Sequence, residues 1–287
     1  MEYWQAIAHC EVEQLVPFAR LAEQAGFSGV TSGDHFVTPE KIESPYPYTV
    51  DQKRWENAKT IIPDPLIQCA ALAQVTARLR FMTTCYVLPM REPFAAAKAI
   101  SSAAVLSGNR LVLGVGVGWM REEFELTGSD FATRGRRCDE MLEVLGKLLA
   151  GGMVEHHGEF FDFPRCEMVP VPDRPLPILI AGHSDAALRR AARFDGWLGS
   201  HYDVADLCAQ AERFRKLRAS TGRAGAAQAV AGVHDLARPE QVRALEDAGV
   251  TGVICMPLSW RGVAASTLEE KRAAMQRFAD EVIAKAG

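Results

Sequence analysis

The sequence of 287 residues contains no long run of basic residues and no dominant charge of either sign. Its 32 basic and 36 acidic residues give a formal net charge of −4. Proteins that bind nucleic acids or anionic membranes carry clustered positive charge, which this sequence does not show. We therefore expect a small-molecule substrate, with neither nucleic acid nor a membrane among the partners.

The cysteines form no pairs in the sequence. There are seven, an odd number, without any C-x-x-C motif, at positions 10, 69, 85, 138, 166, 208 and 255. Disulfide frameworks and structural zinc sites need cysteines at paired, characteristic spacings. The N-terminal stretch MEYWQAIAHCEVEQ lacks the features of a secretion signal, and the longest apolar stretch, 111–120, is too short to cross a bilayer. We expect a soluble protein of the reducing cytoplasm.

Two common cofactor motifs are also absent. Gly114, Gly116 and Gly118 follow the pattern G-x-G-x-G, which fails the G-x-G-x-x-G fingerprint of dinucleotide-binding folds. Glycine at these positions allows either close approach of a planar ligand or tight internal packing. Both explanations are open for Gly114, whereas approach of a ligand is favoured for Gly116 and Gly118 at the rim. No His-x-His pair is present, which disfavours the metal sites of hydrolytic barrels, so we predict no metal.

Eight short apolar runs alternate with longer segments whose apolar residues recur at helical spacing. The runs cover residues 4–8, 27–32, 79–88, 110–117, 176–182, 195–200, 227–233 and 251–256. Proline, which suits the first helical turn, marks helix starts at Asp64-Pro65, Glu92-Pro93 and Arg238-Pro239. Eight β-then-α units predict a parallel sheet closed into a (β/α)8 TIM barrel, one domain over 1–287.

The competing architecture is an open doubly wound sheet. It usually carries a phosphate-binding turn after the first strand, and His9-Cys10 provides none. Two stretches interrupt the alternation: 36–63 after the second strand and 151–175 before the fifth. We predict both to be long loops that form lids or walls of the site.

Histidines concentrate where such a barrel places its site, at the carboxyl ends of the strands. Five of the seven follow a predicted strand: His9, His35, His183, His201 and His234. The other two, His156 and His157, are adjacent in the second insertion. Because imidazole transfers protons near neutral pH, the set predicts a titratable site on this rim, although each histidine alone has the explanation that loops hold polar residues.

A second candidate feature is the turn Ala181-Gly182-His183-Ser184, which leads from the fifth predicted strand into a helix. Glycine followed by serine at a helix start presents free N–H groups and a hydroxyl to an anion. Later strands of barrels often carry a phosphate site. A phosphate-binding turn and a plain helix cap both explain Ser184.

Four motifs carry a resemblance to a known family: GVTSGDHF at 29–36, LSGNRLVLGVGVGWMREEFE at 106–125, RGRRCDEMLEVL at 134–145 and LRRAARFDGWLG at 188–199. The sequence resembles the luciferase-like oxidoreductases, most closely the branch that uses the deazaflavin coenzyme F420. The resemblance implies a β/α barrel, an isoalloxazine-like ring at its rim and a homodimer.

The resemblance also implies roles for individual residues. His35, held by Asp34, matches the proton donor or acceptor, and Thr84-Cys85 matches a non-prolyl cis peptide beneath the ring. The wall at the fourth strand corresponds to Gly116, Val117, Gly118 and Trp119. The phosphate turn corresponds to Ala181, Gly182, His183 and Ser184. Trp119 and Tyr86 are expected to border the substrate; because some members have a carboxylate at Trp119, sugar-phosphate dehydrogenation is not expected.

We therefore predict a coenzyme F420-dependent oxidoreductase that transfers a hydride between the deazaflavin and a small organic substrate. The alternative within the same class is an FMN-dependent monooxygenase that uses reduced flavin and oxygen. The alternative from a different class is a flavin-binding barrel without catalysis. The sequence names neither the substrate nor the direction of the reaction.

Overall fold

The computed structural model describes residues 1–7, 10–48, 60–223, 225–234, 236, 238–256 and 266–286. Its strands are β1 (Glu2–Ala6), β2 (Gly29–Ser32), β3 (Arg80–Thr83), β4 (Tyr86–Val87), β5 (Leu111–Gly116), β6 (Val154–His157), β7 (Asp162–Cys166), β8 (Ile178–Ala181), β9 (Gly196–Tyr202), β10 (Gln228–Val233) and β11 (Gly252–Cys255). Eight parallel strands follow one another in the order β3-β2-β1-β11-β10-β9-β8-β5, and the β3–β5 pairing closes the circle. The predicted closed barrel is confirmed.

The helices pack on the outside of this barrel. They are α1 (Leu15–Gln24), α2 (Pro65–Ala73), α3 (Pro93–Leu106), α4 (Arg121–Leu126), α5 (Arg134–Ala150), α6 (Asp185–Ala191), α7 (Val204–Ser220), α8 (Pro239–Asp247), α9 (Leu268–Phe278) and α10 (Ala284–Ala286). Pro65, Pro93 and Pro239 open α2, α3 and α8, as predicted. Within the described part of the chain, no helix combines the length and apolar composition needed to cross a bilayer.

The strands bury both faces, which explains their nearly continuous apolar runs. In β1, Tyr3 belongs to the large apolar cluster between sheet and helices, whereas its neighbour Trp4 belongs to the smaller cluster that fills the barrel. Trp4 is fully buried, and a Cβ at Gly29 would lie 2.3 Å from its ring. Glycine in β2 therefore makes room for the indole inside the barrel.

The prediction of a long loop at 151–175 is wrong for its central part. Strands β6 and β7 form an antiparallel hairpin, in which His156 pairs with Phe163. The Glu140 carboxylate on α5 accepts hydrogen bonds from the backbone N–H groups of Phe160 (3.0 Å) and Phe161 (2.8 Å) in the connecting turn. This contact across about twenty residues stabilises the hairpin and is not visible as local periodicity. The first insertion, at 36–48 and 60–63, has neither helix nor strand, as predicted.

The barrel allows no side chain at Gly114 in β5. A Cβ there would lie 2.0 Å from the Thr83 carbonyl oxygen and 2.7 Å from the Leu198 side chain. We expect Gly114→Ala to lower the free energy of unfolding by about 1–3 kcal/mol, because backbone atoms must move to accommodate the methyl group. Urea denaturation measures this change.

The matched control is Gly146→Ala, inside α5 and more than one turn before its end. A Cβ at Gly146 meets nothing within 4 Å, and alanine is favoured over glycine inside a helix by about 0.5–1 kcal/mol. This variant should be at least as stable as the wild type. If Gly114→Ala is equally well tolerated, the packing described for the barrel interior is incorrect.

Candidate active site

A cavity of about 1280 Å³ opens at the carboxyl ends of the barrel strands. All twelve residues predicted for the site line it: Asp34, His35, Thr84, Cys85, Gly116, Val117, Gly118, Trp119, Ala181, Gly182, His183 and Ser184. They lie at or just after the ends of β2, β3, β5 and β8, so closure of the barrel brings together segments up to 150 positions apart. This rim is where (β/α)8 barrels place their active sites.

Four of the predicted rim histidines share this cavity: His35, His183, His201 and His234. The fifth, His9, lies outside the described residues. His201 packs beside His234, with ring centroids 5.8 Å apart. Burial, and secondarily the nearby His234, lowers the pKa of His201 to about 4, so this imidazole is neutral at neutral pH. His156 and His157 belong to the hairpin and do not line the cavity.

The carboxylate that holds His35 is Glu123 and not, as predicted, Asp34. The Nδ1 atom of His35 lies 2.9 Å from Oε2 of Glu123, the third residue of α4. Only 3% of the Glu123 side chain is exposed, and 16% of the His35 side chain. An imidazole that reaches a buried carboxylate through Nδ1 keeps its other nitrogen for chemistry.

Asp34 has a different partner. Its side chain is only 2% exposed, and a carboxylate that is buried so completely needs a cation beside it. One of its oxygens lies 2.9 Å from Nη2 of Arg91, and the other accepts the backbone N–H of Val87 at 2.8 Å. Burial raises the pKa of the Asp34 carboxyl, and Arg91 opposes that shift. The pair joins the end of β2 to the segment after β4 and leaves His35 to Glu123.

The peptide bond between Thr84 and Cys85 is cis, as predicted from the resemblance. It divides the predicted strand 79–88 into β3 and β4. Burial raises the pKa of the Cys85 thiol to about 12, so the thiol is protonated at neutral pH. Tyr86 does not border the cavity as expected: side chains alternate along a strand, and its ring turns outward to cover the Arg91 guanidinium at 3.8 Å.

The glycines at the end of β5 are explained by packing. A Cβ at Gly116 would lie 2.1 Å from Sγ of Cys85, and one at Gly118 would lie 2.6 Å from the Phe124 ring. Gly118 also has a φ of +80°, which other residues rarely adopt. Tight packing, the explanation that the sequence favoured less at these two positions, accounts for both glycines, which also line the cavity beside Trp119.

At the end of β8, the hydroxyl of Ser184 accepts the backbone N–H of Ala187 at 3.2 Å and so caps α6. The helix cap is therefore present, and the Ser184 O–H remains a donor for an anion, so the predicted phosphate contact stays a prediction. Gly182 has a φ of +125°, and its carbonyl accepts a hydrogen bond from Nε1 of Trp197 at 2.7 Å. The buried Trp197 side chain therefore anchors this turn to the core of the protein.

Aromatic rings from the first insertion form an outer wall of the cavity. The ring of Tyr46 lies 5.0 Å from that of Trp119 and 5.3 Å from that of Tyr48, in edge-to-face arrangements. Tyr48 in turn lies 6.1 Å from the ring of His183. The insertion therefore connects the β5 wall to the β8 turn, which matches its expected role as a lid or wall.

Two cations face the cavity beside this wall. The guanidinium groups of Arg121 and Arg134 lie 4.8 and 3.8 Å from the ring centre of Phe131. Neither forms an ion pair with a carboxylate among the residues that the structure describes. Burial, and secondarily the nearby Arg121, lowers the pKa of Arg134. Two neighbouring cations of this kind are suited to an anionic ligand group.

Sequence reasoning missed Glu123, Arg91 and Arg134 as parts of the site. Glu123 and Arg134 lie within motifs that carry the family resemblance, but nothing local joins Glu123 to His35, which is 88 positions away. Within the described ranges, no group of three or more histidine, cysteine, aspartate or glutamate side chains could hold a metal ion.

Comparison with known proteins agrees with this geometry. A family model described as luciferase-like monooxygenase matches residues 5–282. The chain belongs to this family. An uncharacterized protein of Mycobacterium tuberculosis is 40% identical over 289 residues, which cover 99% of this chain and 100% of that protein. The F420-dependent hydroxymycolic acid dehydrogenase of the same organism is 26% identical over 199 residues, covering 68% of this chain and 51% of that one.

Solved structures share the fold of this luciferase-like protein at low identity. Monooxygenase RslO1 from Streptomyces bottropensis has a TM-score of 0.78 and 18% identity, with both chains fully covered. An F420-dependent secondary alcohol dehydrogenase has a TM-score of 0.75, 14% identity and 99% coverage of both chains. The oxygenating constituent of 3,6-diketocamphane monooxygenase from Pseudomonas putida, in complex with FMN, has a TM-score of 0.71 and 14% identity, covering 99% of this chain and 98% of that one. The protein is thus an enzyme of the oxidoreductase type, with neighbours of both cofactor classes.

The Asp34–Arg91 ion pair predicts a stability effect that separates it from a catalytic role. Asp34→Ala leaves the Arg91 guanidinium, of which only 7% is exposed, without its carboxylate. We expect the free energy of unfolding to fall by about 3–5 kcal/mol, as measured by chemical denaturation.

The control is Glu159→Ala, which removes a partner of Arg136 in an exposed ion pair and should cost no more than about 1 kcal/mol. If the Asp34→Ala protein is instead as stable as the wild type but has impaired turnover, the result would support the original prediction that Asp34 orients His35.

Proposed function

We propose that this luciferase-like protein is a coenzyme F420-dependent oxidoreductase that transfers a hydride between the deazaflavin and a small organic substrate. The observation that carries the proposal is that the His35 imidazole, the Thr84-Cys85 peptide and the Trp119 side chain line one shared cavity. The motifs at 106–125 and 134–145, together with the F420-dependent relatives, favour the deazaflavin branch.

The residues present fit such a cofactor. A cavity of about 1280 Å³ exceeds the roughly 300–1000 Å³ of most ligand pockets and has room for a tricyclic ring together with a substrate. Apolar side chains from inside the barrel, including Leu198 and Ile254, line its base. The guanidinium groups of Arg121 and Arg134 are the cations that would hold an anionic part of the cofactor.

When bound, the deazaflavin would accept or donate two electrons as a hydride at C5. The protein would supply a proton-transfer group beside it, and His35 is the candidate. Its Nδ1 atom is engaged by Glu123, so Nε2 is the atom that would hold or receive the proton of the substrate. Trp119 and Tyr46 would restrict the access of water to this region.

The competing function is an FMN-dependent monooxygenase. RslO1 and the FMN-bound diketocamphane enzyme are monooxygenases of the same fold. The two functions differ in cofactor and in the need for oxygen, so cofactor binding distinguishes them directly.

We expect coenzyme F420 to bind the apoprotein at least tenfold more tightly than FMN, a difference of about 1.4 kcal/mol. Parallel titrations that follow ligand fluorescence measure both dissociation constants. Equal affinities or tighter FMN binding would contradict the cofactor assignment and leave the fold unaffected. Tight F420 binding without hydride transfer to any substrate of a broad panel would instead favour a non-catalytic binding barrel.

We expect His35→Asn to lower turnover by about 10² to 10⁴, because general acid–base help is typically worth that factor. Cofactor affinity should stay within about tenfold of the wild type, since the ring and the anionic part keep their other contacts. Steady-state kinetics and cofactor titration on the same variant measure the two quantities.

His157→Asn is the matched control, because the same substitution falls on a histidine that is 70% exposed on the hairpin. It should leave both quantities unchanged. If His35→Asn leaves turnover at saturating cofactor unchanged but weakens cofactor binding, His35 only contacts the cofactor ring and does not transfer a proton.

A further inference from the structure

The Glu123 carboxylate uses both oxygens at once. Oε2 contacts Nδ1 of His35 at 2.9 Å, while Oε1 accepts the backbone N–H of Phe36 at 2.5 Å and, at 3.4 Å, that of Val37. Three consecutive residues after β2 are therefore held by one buried side chain of α4. No other carboxylate among the described residues contacts the His35 ring.

This arrangement fixes which nitrogen of His35 carries a hydrogen. Oε1 accepts the backbone N–H groups, and Oε2, the other oxygen of the same carboxylate, has no hydrogen to donate to Nδ1. Nδ1 must therefore be the donor, in the neutral imidazole as well as in the imidazolium. Nε2 is then the nitrogen that exchanges a proton with a ligand in the cavity.

The neighbouring residues of α4 hold the far end of the same loop. Glu122 accepts the backbone N–H groups of Glu43 (2.7 Å) and Ser44 (2.9 Å), and the backbone N–H of Arg121 donates to the Ser44 hydroxyl at 3.0 Å. Two residues further on, the loop brings Tyr46 against Trp119. The first turn of α4 therefore contacts both the segment next to His35 and the segment that forms the outer wall.

We propose that Glu123 is a positioning residue that fixes the tautomer of His35 and ties its orientation to the loop 36–48 covering the cavity. Glu123 acts through His35 and does not itself line the cavity. In the described part of the chain, the Glu122 carboxylate contacts the loop and not the His35 ring. The proposal rests on the proposed function, because a fixed tautomer matters only if His35 moves a proton.

The tautomer can be measured on the wild-type protein without cofactor. Histidine labelled with ¹⁵N shows by its chemical shifts which ring nitrogen carries hydrogen, and loss of one signal set in His35→Asn assigns His35. We expect a protonated Nδ1. A His35 ring with hydrogen only on Nε2 would overturn the proposal, and this result does not depend on any variant folding.

Glu123→Gln tests the link to catalysis, since an amide can turn either its oxygen or its N–H₂ group towards His35. We expect the His35 signals to move towards the other tautomer and kcat to fall about tenfold or more, with the dissociation constant of coenzyme F420 within about threefold of wild type. Glu125→Gln makes the same change at an exposed residue of the same helix and should alter neither quantity.

Glu122→Gln distinguishes the contact of α4 with the loop at Glu43 and Ser44 from its contact with His35. We expect faster amide hydrogen exchange at Glu43 and Ser44 with an unchanged His35 tautomer. His35 signals that are identical in wild type and Glu123→Gln would refute the positioning role. If coenzyme F420 does not bind, the proposed function fails while the tautomer measurement still decides the role of Glu123.

Discussion

Closure of the sheet through the β3–β5 pairing is the constraint on which the site depends. Eight parallel strands that return to their starting point must end on one rim, so chemistry from distant segments meets there without further interactions. Closure also fixes the interior, where Trp4 fits because β2 carries Gly29 opposite its ring. The cavity begins where this packed interior ends, at residues such as Leu198 and Ile254.

The two acidic groups near His35 have different roles because they have different partners. Asp34 and Glu123 are both buried, but Asp34 meets a guanidinium and Glu123 meets an imidazole and backbone N–H groups. A carboxylate already paired with Arg91 has little left to offer a neighbouring ring. Adjacency in sequence suggested Asp34 as the partner of His35, whereas the direction of the side chains selects Glu123.

Local patterns predicted most of the fold. Apolar runs and proline at helix starts each report on a few neighbouring residues, and these predictions held. The hairpin at 154–166 depends on Glu140, and the outward turn of Tyr86 depends on the register of a two-residue strand. Both lie beyond local periodicity, as does the contact between His35 and Glu123. The resemblance to the luciferase-like family supplied the twelve cavity residues, and the predicted strand ends placed them on one rim. Their partners, which lie far away in the sequence, could not be predicted.

The distribution of charge in the cavity bears on what it binds. Among the described residues, Asp34 pairs with Arg91, and Oε1 of Glu122 accepts two loop N–H groups, while the buried Oε2 of Glu122 has no hydrogen-bond partner. Arg121 and Arg134 have no carboxylate partner in the same described set. Within that set, Arg134 donates only to the backbone carbonyls of Gly118 and Phe131, so its charge is not neutralised by an acidic group. Two such guanidinium groups beside an aromatic and apolar wall favour a ligand with one anionic part and one planar, uncharged part. A cofactor that combines a ring with an anionic tail meets both requirements at once, whereas a uniformly charged or uniformly apolar ligand would leave one part of the cavity unmatched.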